Sequence, residues 1–480
     1  MPQSRDGNAH MNSLFFFDDW LLHAREGLDR KLGQPSMVKE IVIDAHPDPD
    51  LESIRGLGID YDPQRERYFM PVDCHDRSGK RFFTRLETDD PYNWPMQHWT
   101  PGSGPLWSRA ENVYLDQHGA PLDCFNITCL AGTPLADKGY VMTLYDYGEK
   151  HRGDYTEDIP SACIAFSQDG LHFDVQESTF WVQHHSDTGN PIIHNPWTDE
   201  FLIFCRSEQT DRRVCQVVTR DFQTFSPPVV VLQPDAEDPV CREFYGLGPV
   251  LHKDVFVGML SIYDAEPTER AHCKMAGTNH MQLAYSYNGR NWYRASRESF
   301  IERSEAGTPS GGQVHVGPPV RTPDDRMLFG GMATWTEHGN DIEHCPPEWR
   351  EKLWRAYLYD MRLDGFTYLR TRAAYGLIRT KAVVPQGGNL LVNARMTPSG
   401  HVKVAVLDHT FAPLPGYTMD DCIPVTGDEL FGKIRWREHE NLDGLKGKSV
   451  ILEVQVREGE LYALRFPYRV HLGEYPRDRI

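Results

Sequence analysis

The sequence predicts an all-β chain, a five-bladed β-propeller followed by a C-terminal β-sandwich. Two turn-rich phrases recur five times each, in alternation, over the first three-quarters of the chain. From about residue 375 they give way to plain period-two strands. Short hairpins repeated radially build a propeller, and its innermost strands converge on a central axis.

The first phrase occupies residues 84–94, 167–173, 219–225, 286–292 and 360–366. A small or polar residue leads into an Asp or Asn turn and then an aromatic, as in Ser167, Asp169-Gly170 and Phe173. Asn-Gly and Asp-Gly accept the positive φ of tight β-turns, so each copy reads as the outer hairpin of a blade. The second phrase occupies residues 61–70, 135–145, 194–204, 251–259 and 321–329. It is a polar turn followed by an apolar strand, the inner hairpin of the same blade.

Three regions follow. Residues 1–40 form an N-terminal arm, with a short helix or extended segment over 14–32, where Phe16, Trp20, Leu21, Ala24, Leu28 and Leu32 stand at rough helical spacing. Residues 41–372 carry the propeller. Residues 373–480 read as the sandwich, because Val402, Val404 and Val406 alternate with Lys403 and Ala405, and residues 450–456 alternate similarly.

With 69 acidic against 50 basic residues the net charge is −19, which disfavours nucleic acid and anionic membranes as partners. No apolar run is long enough to span a bilayer as a helix. The ten cysteines include no C-x-x-C pair, so reduced thiols and a cytoplasmic location are expected. The phosphate-loop, dinucleotide, H-E-x-x-H and G-x-S-x-G motifs are all absent.

Acidic residues just before the inner hairpins are the natural candidates for chemistry. Asp60 precedes the first, Asp187 the third and Glu243 the fourth. Asp62 also lies nearby, but its Tyr-Asp-Pro turn gives it a structural reading. Three carboxylates around one axis suit glycosidic bond cleavage, in which one carboxyl donates a proton and another stays charged. The repeats, the acid order and the appended sandwich resemble the five-bladed propeller glycosidases, namely the fructosidase/invertase and arabinanase/xylosidase groups. That resemblance implies Asp60 as nucleophile or base, Asp187 as stabiliser and Glu243 as acid. It implies no organic cofactor. The local motifs differ from the fructosidase pattern: Gly-Ile-Asp-Tyr-Asp stands where those enzymes carry Asn-Asp-Pro-Asn-Gly.

Arg206, Arg242, His185, Tyr245, His315 and Trp107 are candidate sugar-binding residues. An axial metal ion near His315 is a further option. The expected partner is a carbohydrate, with homo-oligomerisation through the sandwich open. Two rivals stay open at this level. One is a non-catalytic carbohydrate- or protein-binding propeller; the other is a glycoside phosphorylase or lyase on the same scaffold.

Overall fold

The computed structural model describes residues 10–41, 49–56, 58–78, 80–95, 99–100, 102–122, 124–145, 162–182, 186, 188–207, 211–267, 276–339 and 354–470. Among them the secondary structure is strand and short 3-10 turn, with no α-helix, so the all-β class holds. The chain divides into two units. One comprises residues 1–34, 252–254 and 362–480; the other comprises 35–251 and 255–361.

The larger unit holds three separate sheets and one composite sheet. In the first sheet, Leu51–Gly56 and Asp60–Asp62 both pair with Arg67–Asp76, which also pairs with Arg81–Thr88. The second runs Cys124–Cys129, Tyr140–Tyr145, Ala162–Ser167 and His172–Val182, with Leu115–Asp116 beside the last. The third runs Ile192–Asn195, Glu200–Arg206, Val214–Thr219 and Val229–Leu232. In the composite sheet, Arg242–His252, Val255–Ala265 and Gly277–Ser286 form one half. Gln313–Val316, Arg326–Thr334, Trp354–Arg362 and Ser36–Ile41 form the other. The halves join through one parallel pair, Asn279 with Gln313.

The two recurring phrases explain these hairpins. In the second sheet, Ser167 Oγ accepts the Gly170 N–H at 2.9 Å, and Asp169 Oδ1 accepts from Leu171 and His172. Thr219 and Asp221 repeat this with Phe222, Gln223 and Thr224. Ser286 and Asn288 repeat it with Gly289, Arg290 and Asn291. The hydroxyl and the Asx side chain thus satisfy turn N–H groups that no strand reaches. The other phrase supplies a left-handed residue in every copy: Glu66, Gly139, Asp199, Lys253 and Asp325 all have φ between 50° and 71°. The fifth copy of the first phrase departs from the rest. Its strand Thr367–Thr371 pairs with Leu28–Leu32 in the smaller unit, and Ser36–Ile41 pairs with Trp354–Arg362 instead.

Middle strands of the larger unit, such as Glu200–Arg206 and Val255–Ala265, are covered on both faces, which is why they are continuously apolar. Phe201, Ile203 and Cys205 point into one cluster with Val141 and Ile164; Leu202 and Phe204 point into another with Phe244 and Phe256. Phe83 of the first sheet joins Tyr140 and Met142 of the second. Ile54 and Met70 of the first sheet join Leu328, Leu358 and Ile41 of the composite one. Each apolar layer is therefore shared between successive sheets, and the last sheet shares a layer with the first.

In the smaller unit, hydrogen bonding joins ten strands into one sheet among the described residues. Its spine is Leu390–Leu407 paired with Ile451–Val470, interrupted between Met396 and His401. Val402, Val404, Val406, Leu452, Val454 and Val456 are all fully buried in its core. Of the two expectations for residues 14–32, a short helix or an extended segment, the chain takes the extended one. His10–Phe15, Leu22–Glu26 and Leu28–Leu32 are strands, paired with segments of the C-terminal part. The apolar spacing there fits either period, and pairing decides it: Leu14, Phe16, Leu21 and Leu28 enter the core while Trp20 stays outside. Gly27, at φ 65°, separates two of these strands, and a Cβ there would lie 2.8 Å from the Tyr375 carbonyl oxygen. We expect Gly27→Ala to cost about 1–2 kcal/mol from the left-handed backbone alone, read as a lowered urea midpoint.

Candidate functional site

A cavity of about 990 Å³ opens in the larger unit. Its wall takes residues from the first strand, or the segment leading into it, of successive strand groups: Asp60, Thr128, Ile192, Tyr245 and His315. Small residues let these segments crowd together. A Cβ on Gly246 would lie 2.7 Å from Thr188 Oγ1, and one on Gly248 would meet Pro318 at 3.3 Å.

Asp60 opens the short strand Asp60–Asp62 and lines this cavity. Asp60 is exposed to solvent on the cavity wall. The protein around it still desolvates the carboxyl and raises it to about 6, and the negative charge of Asp62 adds to the rise. The Tyr61 N–H, donating to Oδ1 at 2.7 Å, and Arg85 oppose it.

Tyr245, His315 and His338 form an aromatic wall. The Tyr245 hydroxyl stands 3.2 Å from His338 Nε2, and its ring lies 5.7 Å from that of His315. His315 Nδ1 stands 3.4 Å from Ser261 Oγ, and its Nε2 3.4 Å from Gln313 Oε1. Burial, helped by His338, lowers His315 to about 4, so its imidazole is neutral at physiological pH.

A third cluster lies in the same cavity. Arg81 binds both oxygens of the buried Asp73, at 2.9 and 3.1 Å, and His75 Nε2 approaches Asp73 at 3.2 Å. Burial alone would raise the Asp73 carboxyl, but His75 and Arg81 hold it below the usual range. Arg55 stands 3.9 Å from Asp73 and stacks over Trp354, 4.9 Å from the ring centroid. Glu337 is a further carboxylate of the lining.

The structure thus brings Asp60, Tyr245 and His315 to one cavity. Glu243 is not part of the lining; it accepts a 2.6 Å hydrogen bond from Arg212, whose guanidinium lies over the Tyr245 and Tyr263 rings. Arg206 also lies over Tyr245, at 4.9 Å. Arg242 is held by Asp264 through two hydrogen bonds of 2.7 and 2.9 Å, a structural anchor at the start of its strand. Trp107 sits on the turn Leu106–Arg109 and packs against the first sheet's apolar cluster, away from the cavity lining. Asp187 and His185 lie outside the described residues. No group of three or more His, Cys, Asp or Glu poised to hold a metal occurs among the described residues. Asp73, Arg55, Glu337, His338 and Trp354 were not singled out from the sequence. Asp73 and Arg81 could have been paired as hairpin neighbours; nothing local marks the others.

No family model matches the chain, and no curated protein does. Among solved structures the chain is similar to glycoside hydrolases. A Bombyx mori GH32 beta-fructofuranosidase is 10% identical, with 91% of this chain and 94% of that one covered and a TM-score of 0.38. A structure titled for the GH130 family of mannoside phosphorylases, containing glycoside hydrolases that target beta-1,2 mannosidic linkages in Candida mannan, is 11% identical, with coverage of 69% and 94% and a TM-score of 0.40. A fructofuranosidase from Schwanniomyces occidentalis is 8% identical, with coverage of 92% and 98% and a TM-score of 0.38. At such identities and scores the likeness says nothing about which residues act.

Proposed function

We propose that the larger unit is a five-bladed propeller and that its cavity cleaves glycosidic bonds. The cyclic sharing of apolar layers supports closure, with Ser36–Ile41 as the outer strand of the last blade. The observation that carries the activity is Asp60, a carboxyl raised to about 6 on the wall of a cavity large enough for a sugar. A raised carboxyl is the form that donates a proton to a leaving oxygen, so Asp60 is assigned as the acid instead of the nucleophile or base that the resemblance implied.

Asp73 does not serve as its partner. It lies four residues along the strand from Phe69, which pairs with Asp60. At the usual rise per residue that separates them by about 13 Å along the strand, beyond the roughly 5–9.5 Å of paired glycosidase carboxyls. Asp73 is also committed to Arg81. Glu337 faces the same cavity and is assigned as the charged carboxylate. Glu243 is assigned as a positioning residue, acting through Arg212 on the Tyr245 ring. The neutral His315 and the Tyr245 face suit hydroxyl recognition and stacking of a sugar ring.

The test is a panel of aryl glycosides and oligosaccharides assayed with wild type, Glu337→Gln and Glu243→Gln. Turnover by wild type, abolished in Glu337→Gln, is expected. Glu243→Gln should raise KM more than it lowers kcat. No turnover of any glycoside by wild type would overturn the activity in favour of a binding-only propeller.

A further inference from the structure

We propose that the Arg55 end of the cavity is a subsite for a carboxylate carried by the substrate, so that the sugar bound there is a sugar acid. This deepens the glycosidase reading and rests on it for the sugar scaffold. The chain carries a net charge of −19, yet two guanidiniums meet the buried Asp73 on the wall of this cavity. Arg81 takes both Asp73 oxygens in hydrogen bonds. Arg55 stands 3.9 Å from Asp73, within ion-pair reach only, and Glu52 also acts on its charge. Its guanidinium makes no hydrogen bond among the described residues, and its buried Nε has no hydrogen-bond partner there.

A partly buried guanidinium whose N–H donors make no hydrogen bonds costs free energy unless a ligand completes it. Arg55 is also held ready. Its plane rests on the Trp354 ring, and Arg81 rests likewise on Phe83 at 4.7 Å. Such stacking fixes the fork of N–H donors that a carboxylate meets in bidentate fashion. A planar carboxylate fits that planar fork, and the carboxylates already near Arg55 disfavour the second negative charge of a phosphate. Asp60 lines the same cavity, on the next strand after Leu51–Gly56 in the first sheet. A sugar ring spanning the two would set its acid group at Arg55 and its glycosidic oxygen towards Asp60.

The test measures binding by calorimetry with wild type, Arg55→Gln, Arg55→Lys and Asp60→Asn, each checked for a native circular dichroism spectrum and a cooperative melt. The probes are galacturonate, glucuronate, galactose, glucose, galactose 6-phosphate and inorganic phosphate. Wild type should bind one of the sugar acids roughly ten- to a hundredfold more tightly than its neutral counterpart, the range of a charged hydrogen-bonded pair. Arg55→Gln should remove that preference, Arg55→Lys should keep part of it, and Asp60→Asn should keep it fully. Equal affinity for acid and neutral sugars in wild type, or an unchanged preference in Arg55→Gln, overturns the subsite. Tighter binding of galactose 6-phosphate or inorganic phosphate overturns the choice of carboxylate. If acid preference depends on Arg55 but no glycoside is turned over, the subsite stands and the hydrolytic reading fails. If neutral glycosides are cleaved as readily as acidic ones, the reverse holds.

Discussion

Asp60→Asn is expected to lower turnover of the preferred glycoside about 10³-fold, the middle of the range for removal of a positioned proton donor. The pH dependence gives the finer test. With its carboxyl at about 6, Asp60 is protonated and competent below that pH and loses its proton above it. Wild-type kcat/KM should therefore fall as pH rises through about 6, and the residual activity of the variant should lack that limb. Stability should move the opposite way. The folded-state value lies above the ordinary 3.8, so the native protein holds a proton that the unfolded chain releases. The stability tied to that proton is complete below about 4 and is lost as pH rises through about 6. Asparagine never ionises, so the variant should melt at a higher temperature than wild type at pH 7.5 and at nearly the same temperature near pH 3.5. Loss of activity together with gain of stability marks a site built for function. A variant that loses both would reduce Asp60 to a structural residue.

The second large effect lies two residues away. Asp62 is fully buried and gathers Arg85 at 2.8 Å, the Tyr140 hydroxyl at 2.8 Å, and the N–H groups of Gln64 and Arg65. Arg85 is itself fully buried, paired also with Glu87 at 2.7 Å and stacked on Phe69. Asp62→Ala leaves that guanidinium without one of its two carboxylates and strips a hairpin turn of its acceptor. A broken buried pair costs about 3–5 kcal/mol, which urea unfolding would read as a large drop in midpoint at unchanged slope. Arg85→Met combined with Asp62→Leu should cost less than the sum of the two single changes, because the survivor in each single variant is a stranded charge. Asp62 also raises the Asp60 carboxyl. Asp62→Asn, the milder change, should shift the fall in activity with rising pH to lower pH.

What could be read from the sequence divides by distance along the chain. The hairpins were legible because their chemistry is local. Ser167 with Asp169, Thr219 with Asp221, and Ser286 with Asn288 bond N–H groups within three residues. The alternation at 402–406 and 450–456 was legible for the same reason, and its residues are buried as read. Residues 14–32 left helix and extended segment open because the strand partners that decide it lie about 350 residues on, where no window reaches. Asp60, Tyr245 and His315 could be placed on one wall from their positions in the repeat. The Arg55 cluster could not, because Trp354 comes to Arg55 from nearly 300 residues later. Arg242 and Trp107 show the converse limit. Both are residue types that suit sugar binding, but a carboxylate holds one and an apolar cluster covers the other.

The smaller unit joins segments far apart along the chain: His10–Phe15 pairs with Ile451–Val470. On the ribosome the first strands emerge hundreds of residues before their partners exist, with Leu14, Phe16 and Phe17 uncovered meanwhile. Pairing of His10–Phe15 must wait until Ile451–Val470 has been made, and the loop it closes is more than 400 residues long. Nascent chains stalled before about residue 450 should therefore be held by chaperones at this first strand, and removal of residues 451–470 should harm solubility far out of proportion to the residues lost.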